Sequence, residues 1–226
     1  MLGIHYMIDR DGTVRASVPE EQVAWHAYTV SGLSFSADGR FLFLLNDDLI
    51  DRGDTRAQVI KLDAATLQTV QVWSDLGRAM GGAVSADGRR YTLVEFPPAG
   101  GARVVELDLE SGARKVWLET PAPVSLGSPT WSPSGRRLAV ARLDGNGWNL
   151  VLLEADGSQR HLTTDGAFNY APRWADATHL IFARQAGRYL QAHRLDVDSG
   201  RLERLTDTPY GLLDPQPVPG GVALVS

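Results

Sequence analysis

The sequence contains no cysteine among its 226 residues. Disulfide bridges, zinc–thiolate sites and thiol catalysis are therefore excluded. No apolar run approaches the roughly 18 residues that a membrane-spanning helix needs. The first residues carry neither the basic stretch nor the apolar core of a secretory signal peptide. We therefore expect a cytoplasmic protein without membrane insertion, unless a signal peptide has been removed.

Basic clusters are also missing, since arginine and aspartate are mixed along the chain rather than grouped. The formal net charge is −5, whereas nucleic acids and anionic membrane surfaces attract proteins with a basic face. We therefore expect no nucleic-acid partner. With 43% hydrophobic and 22% charged residues, the composition is that of a globular protein, and the length suits a single all-β domain. The sequence predicts one domain over residues 1–226.

A hairpin pattern recurs four times along the chain. Each copy has an apolar strand, a polar turn and a second apolar strand; the copies are LSFSADGRFLFLL (33–45), GAVSADGRRYTLV (82–94), PTWSPSGRRLAVA (129–141) and PRWADATHLIFAR (172–184). Three of the turns contain glycine, at Gly39, Gly88 and Gly135, 49 and 47 residues apart. A tight hairpin needs positive φ at one turn position, which glycine adopts without steric cost. Each repeat is therefore predicted to contain a β-hairpin.

A second hairpin follows each of the first ones. Val105 and Leu107 alternate with Glu106 and Asp108 in one of them, which is the period of two typical of a half-buried strand. Four antiparallel strands in every repeat match one blade of a β-propeller. The predicted blades cover residues of about 30–76, 80–121, 127–166 and 170–208. Trp131 and Trp174 fall on the inner strands, where we expect their rings to wedge neighbouring blades together.

Short motifs in the later repeats resemble those of a known family. Trp131-Ser132-Pro133, Leu162-Thr163 and Leu205-Thr206 are similar to the Trp-Ser-Pro-Asp-Gly hairpins and Leu-Thr endings of TolB-like, WD-repeat-related propellers of bacteria. The first two repeats depart from this pattern, with Ala37 and Ala86 in place of proline. The resemblance covers residues of about 30–226. Among the many functions that such folds host, it implies a non-catalytic scaffold that binds a protein or peptide at the mouth of the channel.

The two ends of the chain predict how the ring closes. Residues 214–226 have the pattern of the first hairpin of a fifth blade, and residues 1–18 have the pattern of a second hairpin with a turn at Asp11-Gly12. Pairing the two would remove an open sheet edge, which otherwise favours aggregation. We therefore predict a five-bladed, monomeric propeller in which both termini share one blade. A truncated ring of six or seven blades is the alternative.

The opening stretch, HYMIDRDGTVRASVPEEQVAWHA (5–27), also resembles a segment of the zinc N-acetylmuramoyl-L-alanine amidase family. That family requires a zinc-binding histidine well upstream, and only four residues precede His5. A zinc site needs three convergent protein ligands, and the sequence provides no such set; His26 matches a family position that is not a ligand. We therefore interpret the segment as a closing hairpin, with a remnant of a peptidoglycan amidase as a lesser alternative.

Loops that lead into the inner strands of a propeller line one mouth of its channel. The residues that these loops bring together, and that we predict to bind a ligand, are Tyr28, Arg78, Asn169, Tyr170, Tyr210 and Asp214. Aromatic rings with a few polar groups are typical of a binding pocket. The sequence predicts no catalytic residue, metal site or cofactor.

An enzymatic alternative rests on loop carboxylates. A small propeller hydrolase acting on a sugar or a lactone could use Asp47, Asp48 or Asp214, provided that two carboxylates lie about 5 to 10 Å apart. The acidic stretch at residues 46–54 lacks the glycine-anchored spacing of a calcium loop, so we expect it to be an exposed polar loop between two strands.

Overall fold

The computed structural model describes residues 4–8, 11–19, 30–51, 54–218 and 221–223, and the regular structure in this part of the chain is β-strand. Its strands are β1 (Ile4–Ile8), β2 (Val14–Pro19), β3 (Val30–Phe35), β4 (Phe41–Asp51), β5 (Asp54–Asp63), β6 (Thr69–Trp73), β7 (Ala79–Val84), β8 (Arg90–Glu95), β9 (Ala102–Asp108), β10 (Arg114–Thr120), β11 (Ser125–Trp131), β12 (Arg137–Asp144), β13 (Gly147–Glu154), β14 (Gln159–His161), β15 (Asn169–Trp174), β16 (His179–Ala186), β17 (Tyr189–Asp196), β18 (Leu202–Arg204), β19 (Gln216–Val218) and β20 (Gly221–Ala223). None of the described residues forms a helix that could cross a membrane.

Sixteen of these strands form four antiparallel sheets of four strands each. The sheets have the orders β3-β4-β5-β6, β7-β8-β9-β10, β11-β12-β13-β14 and β15-β16-β17-β18, and we call them blades 1 to 4. The first strands are neighbours, since β7 contacts both β3 and β11, and β11 contacts β15. The all-β fold built from four-stranded antiparallel sheets is therefore confirmed, with the first strand of each blade on the inside.

The predicted closing blade is not confirmed. Strands β1 and β2 pair with each other, as do β19 and β20, and no ladder joins these two hairpins among the described residues. Strand β19 lies beside β15, the inner strand of blade 4. The C-terminal hairpin thus occupies the position of the first half of a further blade, while the count of five and the shared closure stay predictions.

The acidic stretch at residues 46–54 differs from the loop that the sequence predicts. Strand β4 continues to Asp51 and β5 begins at Asp54, with Asp51 opposite Asp54 in the ladder. The prediction was wrong because backbone pairing does not depend on side-chain polarity. The hairpin of blade 1 therefore continues as paired strands through this stretch.

The turns inside the first hairpins owe their shape to a serine and an aspartate. The Ser36 hydroxyl donates to Asp38 Oδ1 at 2.6 Å, and Ser85 donates to Asp87 in the same way at 2.6 Å. Gly39 has φ +69° in the first of these turns, a conformation that glycine adopts readily. The recurring Ser-Ala-Asp-Gly sequence therefore produces the same turn in blades 1 and 2.

Each inner strand contains a bulge at an equivalent position. The residues at its centre have positive φ, and they are Gly32, Gly81, Ser128 and Ala171, with φ of 61°, 62°, 48° and 51°. The pairing register of each inner strand shifts at the same place. An extra residue bends a strand and increases its local twist. The bulges therefore shape the wall of the channel in all four blades.

The two tryptophans act as wedges, as predicted. Trp131 is 5% exposed and packs with Trp117 of blade 2, their ring centres 5.5 Å apart in an edge-to-face arrangement. Trp174 is 9% exposed and belongs to a cluster with Ala139 and Leu152 of blade 3. Aromatic burial of this kind contributes much of the packing energy between neighbouring sheets.

Candidate functional site on the upper face

The ends of the sheets at which the inner strands begin share one side of the molecule, which we call the upper face. In blade 2, Ala79 at the start of β7 pairs with Glu95, and Glu95 pairs with Arg103. The loops between blades, at residues 74–78, 121–124, 162–168 and 205–215, reach this face, together with the loops between second and third strands. Apart from Tyr28, the predicted ligand-binding residues belong to these loops or to the strand ends next to them.

Two polar groups from different blades, Tyr91 and Arg173, are linked by electrostatics rather than by direct contact. The hydroxyl of Tyr91 donates to the carbonyl oxygen of Gly32 at 2.7 Å. Arg173 Nη2 lies 3.1 Å from the carboxylate of Asp214, and Nη1 donates to the Pro172 carbonyl at 3.0 Å. Burial raises the pKa of Tyr91, and the positive charge of Arg173 opposes this increase. Tyr91 in blade 2 and Arg173 in blade 4 are therefore within electrostatic reach of each other.

Arg173 is a site residue that the sequence analysis missed. It follows the bulge of β15 at the position that Ser34, Ala83 and Thr130 occupy in the other inner strands. The sequence could have indicated Arg173, because it is a large cation at a position where the other repeats have small side chains. The predicted site residue Asp214 is thus paired with Arg173, which the sequence analysis did not predict.

Asn169 lies beneath the surface. Its side chain is fully buried, and Nδ2 donates to the carbonyl oxygens of Trp148 at 3.1 Å and Ala167 at 2.9 Å. Its Oδ1 accepts a hydrogen bond of 2.6 Å from Arg184 Nη1. Arg184 also binds Asp165, and this hydrogen bond is the main reason why the pKa of Asp165 is lowered. Asn169 therefore anchors the loop between blades 3 and 4.

Tyr170 belongs to an aromatic cluster under the same loop. Its ring lies 4.8 Å from the ring centre of Trp148 and 5.7 Å from that of Phe168. Its hydroxyl fits against Gly127 so closely that a Cβ there would be only 2.8 Å away. Tyr170 therefore joins blade 4 to blade 3 rather than extending freely from the surface.

Exposed apolar side chains gather at the blade 4 side of the upper face. Tyr189, Tyr210 and Leu213 are 40%, 60% and 63% exposed. The loop that carries the last two is attached to blade 4 by a hydrogen bond from Leu212 N to the Leu190 carbonyl at 3.1 Å. A shallow cavity of about 260 Å³ lies here, lined by Phe168, Gln185, Arg188, Tyr189 and Leu190. We call this region the mouth patch. The predicted Tyr28 lies outside the described residues.

Arg78 lies in a second and larger cavity, between blades 1 and 2. The cavity has a volume of about 860 Å³, and its charged lining consists of Arg56, Arg78, Arg103 and Arg114 with Asp75 and Glu95. We call it the arginine cleft. Gly101 forms part of its wall, with φ +83° and its Cα so close to the Thr120 carbonyl that a Cβ would clash at 2.1 Å. The cleft therefore depends on glycine at this position.

Most charges in the arginine cleft are arranged in pairs. Arg114 donates to Glu95 Oε1 at 3.2 Å and to the Asp75 carbonyl at 2.6 Å. Arg103 binds Glu119 with two hydrogen bonds, at 2.7 and 2.9 Å. Burial raises the pKa of Glu95, while Arg114 and Arg103 oppose the increase. Glu95, with a side chain only 16% exposed, is the most buried carboxylate of the cleft.

The carboxylates of the enzymatic alternative do not form a described pair. The side chains of Asp47 and Asp48 lie outside the described part of the structure, as does His26. Asp214 pairs with Arg173. Within the described residues, no group of three or more histidine, aspartate or glutamate side chains is placed to hold a metal ion.

Comparison with known proteins relates the chain to TolB-like propellers. No protein-family model matches it. An uncharacterised protein of Agrobacterium fabrum is 25% identical over 202 residues, which cover 85% of this chain and 63% of the relative. The chain thus spans less than two thirds of that protein. Among solved structures, a TolB-like protein of Agrobacterium tumefaciens has a TM-score of 0.72 and 21% identity, with 94% of this chain and 72% of that one covered. This likeness establishes a TolB-like β-propeller fold.

Propellers from other settings are also similar. The nidogen/laminin complex contains a chain that matches with a TM-score of 0.69 and 14% identity, over 98% of this chain and 80% of that one. A puromycin-hydrolysing peptidase of Mycobacterium tuberculosis matches with a TM-score of 0.60 and 16% identity, and 87% of this chain corresponds to 36% of that enzyme. At these identities the comparisons concern the fold alone. These comparisons do not show the resemblance to the amidase family.

Proposed function

We propose that this protein is a non-catalytic propeller scaffold that binds a protein or peptide partner at the channel mouth. The observation that carries the proposal is the mouth patch, where Tyr189, Tyr210 and Leu213 expose large apolar surfaces beside a shallow cavity. Such exposed apolar groups, framed by polar residues, mark interaction sites. Tyrosine is also among the residues that most often dominate binding energy at protein interfaces.

The residues beneath the mouth patch are held in place, so that a partner can bind without a rearrangement of the surface. Asn169 and Arg184 fix the neighbouring loop, and Trp148 and Tyr170 pack beneath it. A partner would therefore meet a preformed surface, which lowers the entropy lost on binding. The similarity to propellers from TolB-like proteins and from the nidogen/laminin complex supports a scaffold role in general terms.

Peptide selection with matched variants tests this proposal. A phage-displayed random peptide library is selected on the wild-type protein, and recovered peptides are synthesised and titrated by calorimetry. We expect Leu213→Ser and Tyr210→Ala to weaken binding at least tenfold, since a central interface residue contributes more than about 1.4 kcal/mol. Leu202→Ser is the control, because Leu202 is 42% exposed but lies on the outer strand β18. Equal affinity for all variants, or no enriched peptide, would contradict the proposal.

No described geometry favours the hydrolase alternative. Asp214 is the only one of its three candidate carboxylates whose side chain is described, and it is held by Arg173 rather than placed opposite a second carboxylate. We therefore keep the scaffold as the proposed function. The peptidase similarity concerns a protein nearly three times as long as the matched portion, and it adds no catalytic residue to this chain.

The scaffold proposal includes a closed ring of five blades. Strand β19 of the C-terminal hairpin already lies beside blade 4, and the hairpin β1–β2 has the length and turn of the outer half of a blade. A groove of about 870 Å³ beside the C-terminal hairpin is lined by Trp174, Ile181 and Val222, among others. Apolar surface of this kind is expected to be covered in the closed form. We propose that residues 1–18 complete this blade.

A further inference from the structure

The arginine cleft differs in charge from the rest of the molecule. The chain as a whole has a formal net charge of −5, whereas four arginines and two carboxylates line this cavity. Positive charges that converge in a concave site focus the field and attract anions. The local excess of positive charge is therefore a feature of this cleft and not of the surface in general.

Arg78 is the cation best placed to receive a ligand. It is exposed and forms no ion pair with any carboxylate of the described residues. Its guanidinium lies 5.7 Å from the ring centre of Phe96, a distance at which a cation–π contact is favourable. Phe96 packs against the core cluster of blades 2 and 3. The ring therefore holds Arg78 in place while its hydrogen-bond donors stay accessible.

The other arginines form the walls on either side. Arg114 and Arg103 are already oriented by Glu95 and Glu119, and Arg56 lies 3.4 Å from Asp75. Each guanidinium has five donor N–H groups in a fixed planar geometry that suits carboxylates. Arg103 uses two of them on Glu119. Donors from three sides of the cleft can therefore bind an anionic group without a change of fold.

We propose that the arginine cleft is a binding site for an acidic peptide segment, whose carboxylates are bound by Arg78 together with Arg103 and Arg114. A volume of about 860 Å³ is within the range of ligand pockets and exceeds the space that one carboxylate needs. Recognition of acidic motifs by arginine clusters is a recurring mode of peptide binding. This site is separate from the mouth patch, and its test does not depend on the proposed function.

Removing the negative charge of Glu95 is expected to strengthen peptide binding, whereas removing Arg78 is expected to weaken it. Its carboxylate lies inside the cleft and competes with an incoming anion for Arg114. Replacing it by glutamine keeps the shape and removes one negative charge. E95Q should therefore bind an acidic peptide several-fold more tightly, whereas R78A should bind it at least tenfold more weakly, since it loses charge-assisted hydrogen bonds to the peptide.

Calorimetric titration with defined peptides tests the site. The probe is hexaglutamate at pH 7 and low salt, and hexaglutamine is the neutral control. We expect hexaglutamate alone to bind, with an affinity that falls as salt is added. R136A is the matched control variant, because Arg136 is exposed on the opposite face and has no ion pair with a described residue. It should bind as the wild type does.

The outcomes separate the proposals. Absence of hexaglutamate binding to the folded wild-type protein, or equal binding by R78A and R136A, would overturn the arginine-cleft proposal and leave the mouth-patch proposal standing. Displacement of the peptide by inorganic phosphate at comparable concentration would also overturn it, because the cleft would then be a simple oxyanion site. Because Arg78 is exposed, we expect R78A to fold normally. Circular dichroism of each variant checks that the fold is retained.

Discussion

Replacing Tyr91 with phenylalanine removes a single hydroxyl group from the contact between blades 1 and 2. Tyr91 is completely buried, and its hydroxyl donates to the Gly32 carbonyl at 2.7 Å. The ring fits between two glycines: a Cβ on Gly32 would be 2.5 Å from the hydroxyl, and a Cβ on Gly82 would be 2.5 Å from the ring. The variant leaves this packing intact, so that the measured effect isolates the hydrogen bond.

The expected loss of stability arises because the Gly32 carbonyl would no longer receive this hydrogen bond. A buried group without its partner costs about 1–3 kcal/mol, and each kcal/mol corresponds to about 2–4 °C in Tm for a domain of about this size. Y91F should therefore lower Tm by about 2–12 °C in a thermal scan followed by circular dichroism. Tyr189→Phe is the control, because Tyr189 is 40% exposed and its loss should change Tm little.

A loss below about 0.5 kcal/mol would refute this reasoning. It would mean that water from the channel replaces the hydroxyl at the Gly32 carbonyl, so that the hydrogen bond does not couple the two blades. Urea unfolding at constant m-value distinguishes this result from a change in the unfolded state.

Two further predictions concern acid and the chain terminus. Hydrogen bonds from backbone N–H groups in equivalent turns lower the pKa of Asp63, Asp108 and Asp196. Burial alone would raise the pKa of Asp176, but similar hydrogen bonds lower it to about 2. The folded state therefore binds fewer protons than the unfolded state, so this stabilisation is complete above about pH 4 and is lost as the pH falls towards 2; a Tm that stays constant over this window would contradict it. Deletion of residues 1–18 should lower Tm and favour self-association, because the proposed closing blade loses two strands; an unchanged Tm and a monomeric elution volume in size-exclusion chromatography would exclude the closure.

The repeats could be predicted from the sequence because their signals are local. A hairpin turn such as Ser36 to Gly39 is determined by residues within four positions of one another, and the strands alternate apolar and polar residues over short spans. The tryptophan wedges followed from the same repeat, since Trp131 and Trp174 hold equivalent positions. Ring closure could not be predicted in this way, because it depends on pairing between the two ends of the chain.

The candidate sites depend on contacts between blades, which explains why the sequence indicated them only in part. Arg78 reaches the cavity from the loop before β7 and Arg114 reaches it from β10, while Arg56 reaches it from blade 1. No spacing in the sequence connects these three residues. Conversely, Asn169 and Tyr170 were predicted to bind ligand from their place in a loop. In the structure Asn169 is buried and hydrogen-bonded, and the Tyr170 ring packs against Trp148, so that both support that loop. In a propeller the repeat determines where a loop lies, whereas the side chains of neighbouring blades determine which of its residues a ligand can reach.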